Sequence, residues 1–366
     1  MGIREQGRYW FKVAWINLLM LLAGAVLAEV VFGGWFFGPQ YGSLIIPKNF
    51  HRHFDASDLY PGGGTIVHKR DENGFRGPYE DVSKIDILAM GGSTTNERFI
   101  TEGETWVDVV RREFAGAGRA VSIVNAGVDG QSTIGHIKDF DLWFPLVPNL
   151  KARYILAYVG INDVAYATSG KPLEGEHLLK SDHMTAPTRR AKQYIRNNSA
   201  LYALARNVWG VVRARNARAF HAADGFDGST WRAPPQAPDI GEAERKYAAA
   251  LEGYDARLRE LTRRIEELGA IPIYVTQHRA DYRVVDGTVL YSVRKDGTLL
   301  RGDYAVMMAF NRKTMEVCRD LGGICIDLAA ELNFGENELY DWYHTTPRGS
   351  DKVGRYLFSK LKDVIR

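Results

Sequence analysis

The chain has 366 residues, 45% of them hydrophobic and 25% charged, with a formal net charge of +3. These values exclude a disordered chain and describe a folded globular protein. A charge this small, with no zinc finger, RNA-binding signature or phosphate loop, argues against a nucleic-acid partner.

The first element in chain order is apolar. Val13 to Phe32 carries a single charge, Glu29, and is as long as the roughly twenty residues that cross a bilayer. Arg4, Arg8 and Lys12 precede it, whereas Gly33 to Ile46 holds no Lys or Arg. The positive-inside rule therefore predicts a cytoplasmic N-terminus over residues 1–12 and a transmembrane anchor over 13–37, with the rest of the chain outside. Trp10, Trp15, Trp35, Phe36 and Phe37 are candidate interfacial anchors. A cleaved signal peptide ending near Val26-Leu27-Ala28 is the alternative. The apolar character continues past that point through Val30, Val31 and Trp35, which favours an uncleaved anchor.

Residues 38–84 are rich in Gly, Pro and Asp, with turn signals at Pro61 to Gly64 and Asn73-Gly74. They are expected to be an extracytoplasmic linker. Residues 85–366 then alternate short apolar runs with helical patterns. Strands are predicted at 85–90, 121–125, 154–159, 271–276 and 324–328, and helices at 104–117, 134–144, 242–269, 303–321 and 350–365. This alternation predicts an α/β fold, a three-layer α/β/α sandwich on a five-stranded parallel sheet. Sites in such sheets gather beyond the carboxyl ends of the strands. Ser93, Gly130, Asn162 and Gln277 all follow strand ends.

Helix 242–269 carries one apolar face, from Tyr247 through Leu268, and Gly269 stops it. Residues 164–241 exceed a simple crossover and are expected to be an insertion. Within it, residues 189–218 contain eight Arg or Lys and no acidic residue. Leu201, Leu204, Val208, Val211 and Val212 interleave with those charges. This pattern predicts a solvated basic face, or a surface for anionic lipid or acidic polysaccharide. Cys318 and Cys325 are expected as two buried apolar side chains, with a single bridge as the alternative in an oxidising compartment. The nine histidines lack paired metal-ligand spacing, so no metal is expected.

The polar residues at the strand ends supply the parts for acyl transfer. A serine needs a base to take its proton during attack, and a histidine titrates in the right range. Asp341-Trp-Tyr-His344 places a carboxylate where it can fix that imidazole locally. Ser93, Asp341 and His344 are thus the candidate catalytic residues. The backbone N–H groups of Ser93 and Gly130 and the Asn162 amide are candidate oxyanion donors. Asp163 is expected to hold its loop. Gln277 and His278 are candidate substrate contacts, with a purely structural place in a strand-end loop as the equal alternative.

Four blocks in this order resemble the SGNH, or GDSL-like, hydrolase family: Gly91-Gly92-Ser93-Thr94-Thr95, Asn125 to Gly130, Gly160-Ile161-Asn162-Asp163 and Asp341 to His344. The resemblance spans residues 85–366 and implies a flavodoxin-like SGNH fold with no cofactor. One position departs: Gly92 stands where the family's commonest form has Asp. Membrane-anchored bacterial members often carry this Gly-Gly-Ser variant, frequently with an upstream Asn-Gly-Phe-Arg segment, as at Asn73 to Arg76 here.

The resemblance implies a serine esterase of the bacterial cytoplasmic membrane, single-pass, with a periplasmic catalytic domain. With the anchor and the basic insertion, it points to O-acyl esters, foremost acetyl, of a cell-envelope glycan as substrate. Two other readings use the same residues. One is an O-acyltransferase working with a membrane acyltransferase partner. The other is a catalytically silent glycan-binding component of an envelope complex.

Overall fold

The structure, a computed structural model, describes residues 3–36, 46–170, 194–195, 198–202, 204–205, 230–293, 296–299 and 304–365. The chain divides into two compact units, residues 1–45 with 180–218 and residues 46–179 with 219–366. Most of the basic stretch 189–218 lies outside the described residues, as does Phe37.

The first unit is built on helix α1 (Ile3–Phe32), which begins earlier and ends earlier than the 13–37 anchor expected from sequence. Its Arg8–Phe32 portion is a candidate transmembrane span, with mean hydropathy 2.1 in its most apolar window and none of that window buried within the protein. The lone charge in the apolar run has a structural task. The Glu29 carboxylate accepts bonds from Trp35 Nε1 (2.9 Å), Ser199 Oγ (2.6 Å) and the backbone N–H groups of Ala200 (2.9 Å) and Leu201 (3.2 Å). It thus caps a helical segment that begins near residue 200, where N–H groups lack intrahelical partners. Nearby Tyr194, Ile195, Leu201 and Leu204 are exposed.

The second unit opens with a hairpin, β1 (Phe50–Asp55) against β2 (Thr65–Arg70). The expected linker is therefore corrected: from Ile46 onward it is part of the domain. Phe75 is buried against Trp143, and Arg76 is buried with its guanidinium donating to the carbonyls of Asn96, Glu97 and Ile100. Turn residues gave the linker reading, but a buried Arg with this many acceptors pins the segment down.

Five strands make the central sheet: β3 (Ile85–Gly91), β4 (Ile123–Asn125), β5 (Ala152–Tyr158), β7 (Ile271–Val275) and β10 (Ile324–Ile326). All pairs are parallel, in the order β10-β7-β5-β3-β4. Because β4 flanks β3 on one side and β5 on the other, the strand order reverses at β3. Ligands bind beyond the carboxyl ends at such a point, and Ser93 follows β3 there.

Alternating side chains load both faces of the sheet. Ile87, Ala89, Leu156, Ile273 and Val275 share one core with Trp106, Val110 and Phe114 of α3 (Trp106–Gly116), Leu328 of α9 (Leu328–Glu331) and Val353, Leu357 and Leu361 of α10 (Pro347–Leu361). Gly354 lets these two helices close up, since a Cβ there would fall 2.4 Å from Val109 Cβ. On the other face lie α4 (Thr133–Leu142), α7 (Ala248–Glu267) and α8 (Tyr304–Asp320). Tyr274 reaches from β7 to Thr262 Oγ1 of α7 at 2.9 Å, and Tyr254 joins α7 to Thr314 of α8 at 2.9 Å.

Three local details differ from expectation. The long helix is broken at Tyr247 into α6 (Ile240–Lys246) and α7, and its apolar face stays continuous as Leu251, Tyr254, Leu258, Leu261 and Ile265. A second small sheet, in the order β6-β9-β8, sets β9 (Thr288–Ser292) between β6 (Trp231–Arg232) and β8 (Tyr282–Val285). Its hairpin turns at Asp286-Gly287, both with positive φ, as a two-residue turn requires. Finally, Cys318 and Cys325 are bonded to each other, with Cα atoms 5.9 Å apart. Gly322, at φ +70°, folds the end of α8 directly back into β10 and brings the two together.

Removing this bridge with Cys318→Ser and Cys325→Ser should destabilise the protein by about 2–3 kcal/mol, the entropy of closing so short a loop. Chemical denaturation of the double variant against the oxidised protein measures it, and equal midpoints would contradict it.

Candidate active site

Ser93 opens the short helix α2 (Ser93–Asn96) at the end of β3. The two glycines before it make room. A Cβ on Gly91 would lie 2.2 Å from Thr95 Oγ1, and one on Gly92 would lie 2.5 Å from Asn162 Nδ2. Gly92 thus leaves the space into which the Asn162 amide fits, which gives the departure at this position a physical meaning.

His344 arrives from the other end of the chain on a loop closed by the Leu339–Thr345 bridge and the bond from Tyr340 N–H to His344 O (2.9 Å). Asp341 shapes the turn, because its Oδ1 accepts from the N–H groups of Tyr343 and His344, both at 2.8 Å. This is an Asx turn. Its other oxygen, Oδ2, lies 2.6 Å from His344 Nδ1, and His344 Nε2 lies 2.7 Å from Ser93 Oγ. With the carboxylate accepting at Nδ1–H, Nε2 is left as the acceptor for the serine proton. Asp341 is buried, and the Tyr340 ring stacks on His344 at 5.5 Å, nearly parallel.

Gly130 sits in the turn between Val128 and Gln131 with φ +78°, a conformation that favours glycine, and is exposed. Asn162 lies in the first turn of α5 (Ile161–Ser169) and donates from Nδ2 to Gln131 O at 2.7 Å. The structure thereby gathers Ser93, Asn162 and the Gly130-Gln131 turn at one end of the sheet. Asp163 is buried and accepts from Thr133 N–H (3.0 Å), Thr133 Oγ1 (2.6 Å) and Arg257 (3.1 Å). It ties the start of α4 to the start of α5. Among the described residues, no group of three or more His, Cys, Asp or Glu side chains is placed to hold a metal ion.

The family model described as the GDSL-like lipase/acylhydrolase family matches residues 89–352. The chain belongs to this family. It is accordingly an ester-hydrolysing enzyme with an α/β fold on a five-stranded parallel sheet. No curated protein matches the sequence. Among solved structures, the chain is similar to a variant of Axe2, an acetyl-xylooligosaccharide esterase from Geobacillus stearothermophilus, at 13% identity and TM-score 0.42, covering 76% of this chain and 96% of that one. It is also similar to the psychrotrophic esterase EstA from Pseudoalteromonas sp., at 10% identity and TM-score 0.39, covering 76% and 97%. A third likeness is to LAE5, an alpha/beta hydrolase enzyme from the metagenome of Lake Arreo, at 14% identity and TM-score 0.41, covering 77% and 98%.

The GDSL-like domain treats Gln277 and His278 differently from the substrate contacts expected of them. Both are buried, at 1% and 3% exposure. Gln277 uses both ends of its amide internally, accepting from Ile161 N–H at 2.6 Å and donating to Thr94 Oγ1 at 2.8 Å. It braces the Ser93 and Asn162 turns from beneath. His278 packs between Tyr282 and Phe334, and burial holds its pKa down at about 3, so it stays neutral. Sequence reading also missed Arg70, which donates to Asn96 Oδ1 at 2.8 Å and fixes the end of α2. Its signal is faint, since a buried Arg on a hairpin looks like any surface Arg.

Gln277→Ala should leave the Ile161 N–H and the Thr94 hydroxyl without partners, lowering stability by about 1–3 kcal/mol. It should also slow turnover of any ester with KM nearly unchanged. A large rise in KM alone would instead mean that Gln277 touches substrate.

Proposed function

We propose that this GDSL-like enzyme hydrolyses O-acyl esters, foremost O-acetyl groups of an extracytoplasmic cell-envelope glycan, through an acyl-enzyme on Ser93. The observation that carries the catalytic part is the unbroken hydrogen-bonded chain from Asp341 through His344 to Ser93. Ser93 Oγ attacks the ester carbonyl carbon while its proton passes to His344 Nε2. The oxyanion is held by the N–H groups of Ser93 and Gly130 and by the Asn162 amide. The tetrahedral intermediate collapses, the alcohol leaves with the proton from His344, and an ester on Ser93 remains. Water then attacks that ester, giving its proton to His344, which returns it to Ser93 as the free acid departs. Asp341 holds the required tautomer and stabilises the imidazolium that forms twice in the cycle.

The glycan and the location rest on different support. Helix α1 is apolar enough to span a membrane, with Arg8 and Lys12 near its N-terminal end. The Cys318–Cys325 bridge fits an oxidising compartment. Both support a single-pass protein whose catalytic domain faces the periplasm. An enzyme held at that surface meets envelope polymers first. If the deacylating nucleophile is a sugar hydroxyl instead of water, the same residues make an O-acyltransferase, and free acid would appear only with an acceptor present.

With p-nitrophenyl acetate as substrate, Ser93→Ala and His344→Ala should abolish turnover, and Asp341→Asn should lower kcat roughly a thousandfold to ten-thousandfold. Asn162→Ala should lower it roughly 100- to 1000-fold with little change in KM. Retained activity in Ser93→Ala would overturn the catalytic reading. Acetate release from acetylated glycans tests the substrate class, and equal rates on glycan-free aliphatic esters would contradict it.

A further inference from the structure

A carboxylate next to the triad has no part in the steps above and occupies an unfavourable place. Glu97 directly follows α2 in the left-handed region, at φ +46° and ψ +53°, and is only 4% exposed. A glycine would adopt this backbone without strain, and a buried carboxylate is disfavoured unless it is fully bonded. Glu97 is fully bonded, and its partners are telling. Its backbone N–H donates to Ser93 O at 2.8 Å. Its Oε2 accepts from Trp106 N–H at 2.7 Å, at the start of α3. Its Oε1 accepts from Thr345 Oγ1 at 2.5 Å and from Ser350 Oγ at 2.6 Å, in the first turn of α10. Thr345 is the neighbour of His344. One side chain therefore bonds both to the turn bearing Ser93 and to the loop bearing His344.

We propose that Glu97 is a positioning residue that holds the His344 loop against the Ser93 turn, and that its ionised form does the holding. The proposal rests on the catalytic roles given above to Ser93 and His344. An ionised carboxylate accepts from all three donors at once. A protonated one carries an O–H, and because the Trp106 N–H cannot turn away, that O–H must face Thr345 or Ser350, one of whose hydroxyls then turns from donor to acceptor. The contacts remain, but as bonds between neutral groups, which hold the His344 loop less tightly than bonds to a carboxylate.

Burial, the largest influence, pushes the Glu97 carboxyl up to about 7, against the lowering effect of its hydrogen bonds and of Arg76. Arg76 is the cation facing it and is itself paired with Glu102 at 2.8 Å. The other titratable groups around it are the phenols of Tyr60, Tyr158 and Tyr340, all pushed upward by burial first. Holding is strongest above about pH 7 and weakens as pH falls through that value. Stability runs the other way. The folded protein takes up a proton the unfolded chain would release, so Glu97 makes the fold less stable as pH rises from about 4.5 through 7.

The test uses the full chain with a p-nitrophenyl ester, comparing wild type with Glu97→Gln, Thr345→Val and Ser350→Ala. Glu97→Gln should lower kcat at pH 8 at least about tenfold with KM within about twofold, while melting no lower than wild type at that pH. Its acid limb should be shallower than wild type's, because the Glu97 carboxyl no longer titrates. Thr345→Val, which keeps the carboxylate but removes the bond beside His344, should reproduce the kcat loss, and Ser350→Ala should cause a smaller one. Wild-type kcat and an unchanged acid limb in Glu97→Gln overturn the proposal, as does a kcat loss explained by unfolded protein. If Glu97→Gln does not fold, wild-type kcat in Thr345→Val overturns it alone. Activity that survives Ser93→Ala would instead remove the catalytic reading on which this assignment stands.

Discussion

The 2.7 Å contact between His344 Nε2 and Ser93 Oγ joins residues 251 positions apart, and much of the second unit bears on keeping it. Hydrogen bonds of this kind fail with small displacements, so each end has its own support. Ser93 is fixed by the end of a central strand, by two close-packed glycines and by Gln277 bonded to Thr94 beneath it. His344 is fixed by the Asx turn of Asp341, by the stacked Tyr340 ring and by the bridge from Leu339 to Thr345. Reversal of strand order at β3 opens the crevice in which the two meet.

Buried polar groups, not only apolar ones, hold that crevice in shape. Arg70, Arg76, Glu97, Asp163 and Gln277 are each bonded to backbone or side chains of the turns that carry the site. Fully satisfied networks of this type specify one arrangement, whereas partial ones destabilise it. The segment from Ile46 to Arg76 contributes two of these groups, which makes it part of the active-site support and not a tether.

The central strands and the site blocks were legible in the sequence because each strand is a short apolar run, and those of β3, β4 and β5 lead into Gly91-Gly92-Ser93, Asn125 and Gly160-Ile161-Asn162. Helix α7 was legible through its stripe from Leu251 to Ile265, although the break at Tyr247 left no mark in that pattern. Less was legible where long-range partners decide the outcome. Gln277 and His278 look like strand-end polar residues free to meet substrate, and only the packed structure shows them enclosed. Cys318 and Cys325 sit in apolar surroundings that fit a thiol equally well, until Gly322 folds one onto the other. Asp286-Gly287 is a two-residue hairpin turn by residue type, yet the strands expected from the alternation do not include β8 and β9 on either side of it. Glu97 carries no sequence signal at all, since an acidic residue after Ser-Thr-Thr-Asn reads as solvent-exposed.

The most direct test is to label the full-length protein with a fluorophosphonate and locate the adduct by mass spectrometry. One adduct is expected, on Ser93, absent in Ser93→Ala and nearly absent in His344→Ala. An adduct on another residue, or a folded wild-type protein that stays unlabelled, would contradict an activated serine at this site.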